Sequence, residues 1–409
     1  VKNNSEPIYT IEKGNTIMFK AIHLNRCTGE TNPVQKAGLF SGARPLAVRA
    51  LTAVTGSLTA ATGLAAAVIL AVSPAGCSDD DGGGGTDPDA GGDFDSSVTP
   101  DGDVDAAVST DGQTPDGDTD PDGSTQPNTG WTIGHEHTNL DDIPQSAITQ
   151  AKETLHIAYQ HTSHGSQLIT GMNALAAFPD FGDRYAWDDA GSDPNALDLD
   201  DLGIPGCPDL SQGDSVDQNG DTPWVIATRA LLDNPDNSHI NVVVWSWCSI
   251  NGHDAQRYVD NMEKLISEYP LVTFVFMTGH AEGQDEDMTP DSVHYNNELI
   301  RQHCTQNDRW LFDFADIEAY DPDGNYYWDQ GLEDDLDYNG GNWGQQWCAA
   351  NTGSELEQLT TGNGVSGYDG CQGCAHSQNP QEANLNCVLK GRAAWWLWAR
   401  IAGWDGQTP

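Results

Sequence analysis

The sequence predicts an α/β domain, a parallel sheet covered by helices on both faces, in roughly its C-terminal two-thirds. Three observations predict it. From Leu155 onward, short apolar runs alternate with segments of helical spacing. Two of those runs, NVVVWSWC (Asn241–Cys248) and LVTFVFMTG (Leu271–Gly279), are continuously apolar, as in strands buried on both faces. The composition also changes sharply at Trp131, from aspartate and glycine to a normal apolar content.

In chain order, the spacing predicts a helix over Ser146–Thr154 and a strand over Leu155–His161. A polar turn, Thr162-Ser163-His164-Gly165, leads into a helix with the sequence SQLITGMNALAAF. Asp, Gly and Pro dominate Pro179–Thr222, which reads as a loop or lid. A helix follows over Trp224–Leu232, then the strand Asn241–Cys248, a helix over Asp254–Tyr269 and the strand Leu271–Gly279. Tyr295–Gln306 reads as a helix, Trp310–Phe314 as a fourth strand, and Leu389–Ala402 as the closing helix after an irregular Trp- and Cys-rich region.

Ahead of this domain, residues 78–130 contain fifteen Asp and no Lys or Arg. Such a stretch buries too little apolar surface to offset its ordering entropy and reads as a disordered tether. About 50 residues of neutral coil reach about 40 Å, and like charges extend it. The tether carries about a third of the formal net charge of −45. Acids still outnumber bases in the domain (131–406), which argues against nucleic acid as a partner.

Residues 51–77 follow Arg44 and Arg49 with an uncharged run that ends in small residues and Cys77, a secretory signal pattern. Ala75-Gly76-Cys77 resembles a bacterial lipobox, which implies a lipidated Cys77, an N-terminal lipid anchor in the membrane and an extracytoplasmic location at the bacterial envelope. An uncleaved membrane anchor is the alternative. Residues 1–50 read as an N-terminal extension with the basic flank of the signal. For an exported domain, most of Cys207, Cys248, Cys304, Cys348, Cys371, Cys374 and Cys387 are expected in disulfides. Cys348, Cys371, Cys374 and Cys387 are the candidates for pairing, and Cys248 and Cys304, flanking core elements, for buried free thiols.

Ligands of open α/β sheets bind beyond the carboxyl ends of the strands. Those ends are followed here by His161-Thr162-Ser163-His164-Gly165, by Ser249-Ile250-Asn251-Gly252, by His280, and by Asp316 and Glu318. Hydroxyl, imidazole, amide and carboxylate groups thus share one edge. Ser163 stands between a strand and a helix, where free N–H groups stabilise an oxyanion. The base it requires is His376 in CQGCAHSQ, ahead of the closing helix.

In this arrangement the chain resembles the SGNH/GDSL-like hydrolases over about Leu155–Trp404. The resemblance implies a three-layer, flavodoxin-like sheet and ester hydrolysis through an acyl-serine. It implies Ser163 as nucleophile, His376 as base, and Asn251 with the Ser163 and Gly165 amides as oxyanion hole. The family's acid stands three residues before the histidine. Gly373 fills that position, and Asp369 is the nearest preceding acid.

The expected function is that of an extracytoplasmic esterase or deacetylase acting on a polysaccharide or other glycan ester, without cofactor or metal. The loop residues Trp187, Trp328, Trp343 and Trp347 offer flat rings for sugar faces. Two other functions are kept beside it. One is a polysaccharide lyase or metal-dependent carbohydrate enzyme built on His161, His164, His280 and His376; the other is a non-catalytic glycan-binding surface lipoprotein. Plainer roles are a helix cap for Ser163 and a turn for Asn251. The DxDG-like segments Asp217–Asp221 and Asp321–Asn325 read as turns, since neither completes an EF-hand.

Overall fold

The structure, a computed structural model, describes residues 130–407 other than 190, 213 and 284–287. The extension, the signal segment with Cys77 and the tether lie outside the described residues. No helix among the described residues is long and apolar enough to cross a membrane.

The elements run β1 (Thr132–Ile133), α1 (Gln145–Thr154), β2 (His156–Gln160), α2 (Ser166–Ala177), β3 (Trp187–Asp188), β4 (Leu197–Asp201), α3 (Pro223–Leu232), β5 (Val242–Trp245) and α4 (Ala255–Glu268). They continue with β6 (Thr273–Met277), α5 (Val293–Gln306), β7 (Trp310–Phe312), α6 (Phe314–Ala319), the small hairpin β8 (Asp337–Tyr338) and β9 (Gly341–Asn342), α7 (Trp343–Ala350), α8 (Glu355–Thr361) and α9 (Leu385–Ile401).

Seven strands form one sheet in the order β1-β7-β6-β5-β2-β4-β3, and every pairing in it is parallel. Without the two-residue strands β1 and β3, the spatial order is 2-1-3-4-5, one of the two common doubly wound arrangements. Its topological switch point lies between β2 and β5. The fold is therefore α/β with helices flanking a parallel sheet, as the alternation of elements predicts.

Local chemistry explains the elements. Every residue of β5 is buried, as a central parallel strand requires. Helix α4 buries Ala255, Tyr258, Val259, Met262 and Leu265 at i, i+3, i+4, i+7 spacing, and the Asp254 carboxylate caps its N-terminus by accepting from Arg257 N. Helices α2 and α9 make the closest helix contact. A Cβ on Gly171 would stand 1.8 Å from the Cys387 carbonyl oxygen, and one on Gly391 would stand 2.3 Å from the Gly171 carbonyl carbon. Only glycine at both positions permits that approach.

The structure corrects the sequence reading in the stretch 179–222. It holds strand β4, not only loop. In LDLDD the leucines Leu197 and Leu199 are fully buried, while the alternating aspartates face partly outward. Asp198 lies opposite His156 of β2 and pairs with its Nδ1 at 2.5 Å. The acidic composition hides an ordinary period-2 strand.

The cysteines also depart from expectation. Cys374 and Cys387 form a disulfide, whereas Cys348 and Cys371 are buried free thiols, as is Cys304. Burial pushes the Cys348 and Cys371 thiols up to about 12, so both behave as small apolar side chains. Cys304 is buried and free as expected; Cys248 is buried too, but it is disulfide-bonded and not the free thiol its place beside a core strand suggested.

Candidate functional site

The carboxyl ends of β2 and β6 and two later loops bring three imidazoles into one stack. His164, in the turn between β2 and α2, lies between His280 and His376, with ring centroids 3.5 and 4.0 Å away and planes within 13° and 10° of parallel. His164 and His280 are buried, and the His376 side chain, about a third exposed, closes the open end of the stack. Asp334 lies beside the stack: its Oδ2 accepts from His164 Nε2 at 2.6 Å and stands 3.7 Å from His376 Nδ1.

Stacked imidazoles repel when charged. Burial first, then the neighbouring His280, His376 and Lys390, holds His164 well below the ordinary imidazole range, so it stays neutral near pH 7. His280 has its Nδ1 on the Ala281 carbonyl at 2.8 Å, which fixes the proton there and leaves the lone pair on Nε2. That buried nitrogen has no hydrogen-bond partner and faces Glu282 Oε1 at 3.4 Å.

A polar knot beneath the stack fixes the loops. Lys390, buried at the middle of α9, donates to Gln167 Oε1 and, at 2.5 Å, to Glu318 Oε1. Gln167 donates in turn to the Ala375 carbonyl at 2.6 Å, next to His376. Glu318 accepts from Ala281 N at 2.7 Å, next to His280. Asn386, one turn before Lys390, donates to the Asp334 carbonyl at 2.8 Å. The ammonium thus anchors the His280 and His376 loops, and Asn386 anchors that of Asp334. Burial lowers Lys390 to about 8, against the opposing pull of Glu318. The Cys374–Cys387 disulfide pins the His376 loop further, and His376 itself adopts φ +63°, a left-handed conformation uncommon for a non-glycine residue.

The sequence candidates divide on this geometry. Ser163 is buried at the start of the turn that carries His164, and makes no hydrogen bond to His376. The main-chain N–H groups of Ser163, His164 and Gly165 donate to no acceptor among the described residues. Gly165 also permits close packing, since a Cβ there would stand 2.1 Å from Ser246 Oγ. Asn251 is exposed, and its main-chain N–H donates to Ser249 Oγ. His161 leaves the cluster, its Nε2 held by Asp201 at 2.6 Å. Asp369 is exposed, and its main-chain carbonyl accepts from Gln372 and Gln381. The carboxylate beside His376 is Asp334, which sequence reasoning missed within the acid run Glu333-Asp334-Asp335.

Asp316, also on the edge, pairs instead with His135. Trp328, Trp343 and Trp347 are buried rather than presented as flat surfaces; Trp187 is half-buried, its Nε1 on Asn173. Past the end of β7, Tyr320, Tyr326, Trp328, Arg301 and Asp316 line a cavity of about 320 Å³. A larger one, about 410 Å³, lies against α1 and contains none of the site's groups.

Compared with protein-family models, curated proteins and solved structures, the chain gives no match. Its functional reading rests on the geometry above.

Proposed function

We propose that the domain is a hydrolase of ester-bearing carbohydrates, with Ser163 as nucleophile, His376 as general base and Asp334 as the acid that orients it. The observation that carries this reading is His376, which turns Nδ1 toward Asp334 at 3.7 Å on the rim where Ser163 follows β2. A general base needs one ring nitrogen facing an acid and the other free to take a proton. His376 Nε2 makes no hydrogen bond among the described residues and meets the second condition.

In this reading Ser163 Oγ attacks the acyl carbon as its proton passes to His376. The amides of Ser163, His164 and Gly165 receive the oxyanion. His376 returns the proton to the leaving alcohol, and water releases the acid by the reverse sequence. The aromatic-lined cavity past β7 supports a sugar-bearing alcohol. The lipobox-like Cys77 supports an enzyme tethered to the outer face of an envelope membrane. The test is labelling of the full chain with a fluorophosphonate probe, followed by mapping of the modified residue. Ser163 is expected to be modified in the native chain and not in His376→Ala; modification elsewhere, or none, removes the mechanism.

A further inference from the structure

We infer that His164, Asp334 and His376 form a binding site for one divalent transition-metal ion, best matched by zinc. Nε2 of His164, Oδ2 of Asp334 and Nδ1 of His376 all lie within 4.8 Å of one another. Two imidazole nitrogens and a carboxylate oxygen are a donor set that zinc takes readily. Tetrahedral zinc with bonds of about 2.0–2.1 Å keeps its ligand atoms about 3.3 Å apart. The separations to Asp334 Oδ2, 2.6 Å from His164 and 3.7 Å from His376, bracket that value. Loading opens the first contact and closes the second, each by under about 1 Å. The rings are nearly parallel, so one must tilt to aim its lone pair at a shared ion. His376, at the exposed end of the stack, has room to do so.

The surroundings fit a metal ligand set. When His164 Nε2 binds the ion, its proton moves to Nδ1, which faces the Cys248 carbonyl and has no well-formed hydrogen bond otherwise. A ligating histidine commonly donates its second N–H to just such a carbonyl. Three protein ligands leave a fourth position open.

The site goes beyond the proposed hydrolysis and competes with it. An ion on His376 Nδ1 and Asp334 separates the base from its acid, so zinc inhibits ester cleavage. The experiment titrates the chelator-treated full chain with zinc chloride by calorimetry, and with cobalt(II) by visible absorption. Wild type, His376→Ala, Asp334→Asn and His161→Ala are compared at equal folded fraction by circular dichroism. Tether aspartates give the same weak background in all four. One site is expected in wild type and His161→Ala, weakened on the order of 100-fold in the other two, in line with the loss of a direct ligand. Equal binding by all four proteins, or no site above background in wild type, overturns the inference. Fluorophosphonate labelling of the chelated protein tests the serine mechanism separately, since its failure leaves the zinc isotherm untouched.

Discussion

Replacing Lys390 with methionine tests whether the polar knot holds the site together. The side chains of Lys390 and Glu318 are both fully buried, with Nζ and Oε1 2.5 Å apart. Methionine has nearly the volume of lysine, so the variant leaves little cavity and removes chiefly the charge. Glu318 keeps its bond from Ala281 N but becomes a buried carboxylate with no counter-ion. Breaking one half of a buried pair costs about 3–5 kcal/mol. That is a large part of the 5–15 kcal/mol typical of a whole domain.

The double variant Glu318→Gln/Lys390→Met removes both charges and is expected to recover about half of the loss or more, since uncharged replacement of a buried pair is often near neutral. Equilibrium urea unfolding at pH 7, followed by tryptophan fluorescence, measures Lys390→Met, Glu318→Gln and the double variant. Lys390→Met also frees Gln167, which holds the Ala375 carbonyl beside His376, so ester cleavage and zinc binding fall with stability. A cost below about 1 kcal/mol for Lys390→Met, or a double variant as unstable as the sum of the singles, refutes the argument.

Burial, the main cause, holds His137 below the ordinary imidazole value, and its Nδ1 accepts from Gly134 N at 3.2 Å. Below about pH 6.5 the unfolded chain takes up a proton that the native ring refuses. Its contribution is therefore complete above that pH and is lost on acidification, at no more than about 1.4 kcal/mol per pH unit. Urea unfolding across that range should show a shallower acid slope in His137→Gln than in wild type, and parallel slopes would contradict the assignment. Cys374 and Cys387 are 13 residues apart, so removing their bond as Cys374→Ala/Cys387→Ala should cost about 3 kcal/mol. Activity should fall further, because His376 sits inside the closed loop; a variant with full activity would show that the loop needs no staple.

The fold was legible because its signal is periodic. Val242, Val243, Val244 and Trp245 admit no half-exposed strand, and the i, i+3, i+4 spacing of α4 admits little but a helix. Strand β4 was illegible for a compositional reason. In a stretch where nearly every polar residue is aspartate, the two leucines that set the period are easily lost. Strand β1 is two residues long and exists only because β7 lies beside it, with Thr132 opposite Leu311. No local pattern could announce it.

The site was legible in its histidines and not in its acids. His164, His280 and His376 stand out because histidine is scarce in this chain, 12 in 409 residues, and two of the three directly follow predicted strands. Asp334 is one of 62 acidic residues, so nothing marks it until the loop closes over the stack. The reverse holds for the bases. Only 17 Lys and Arg are present, so a basic residue within an apolar helix carries information, as Lys390 does in LNCVLKGRAAWWLW. Those that fold into the domain repeatedly tie separate segments together. Arg229 joins Asp221 to Glu268, Arg301 joins Glu298 to Asp313, and Arg392 reaches the Thr138 carbonyl. Buried carboxylates such as Asp209 and Glu357 are satisfied by hydroxyl and backbone donors, so in a chain this acidic the buried cation, more than the acid, marks where the fold is held.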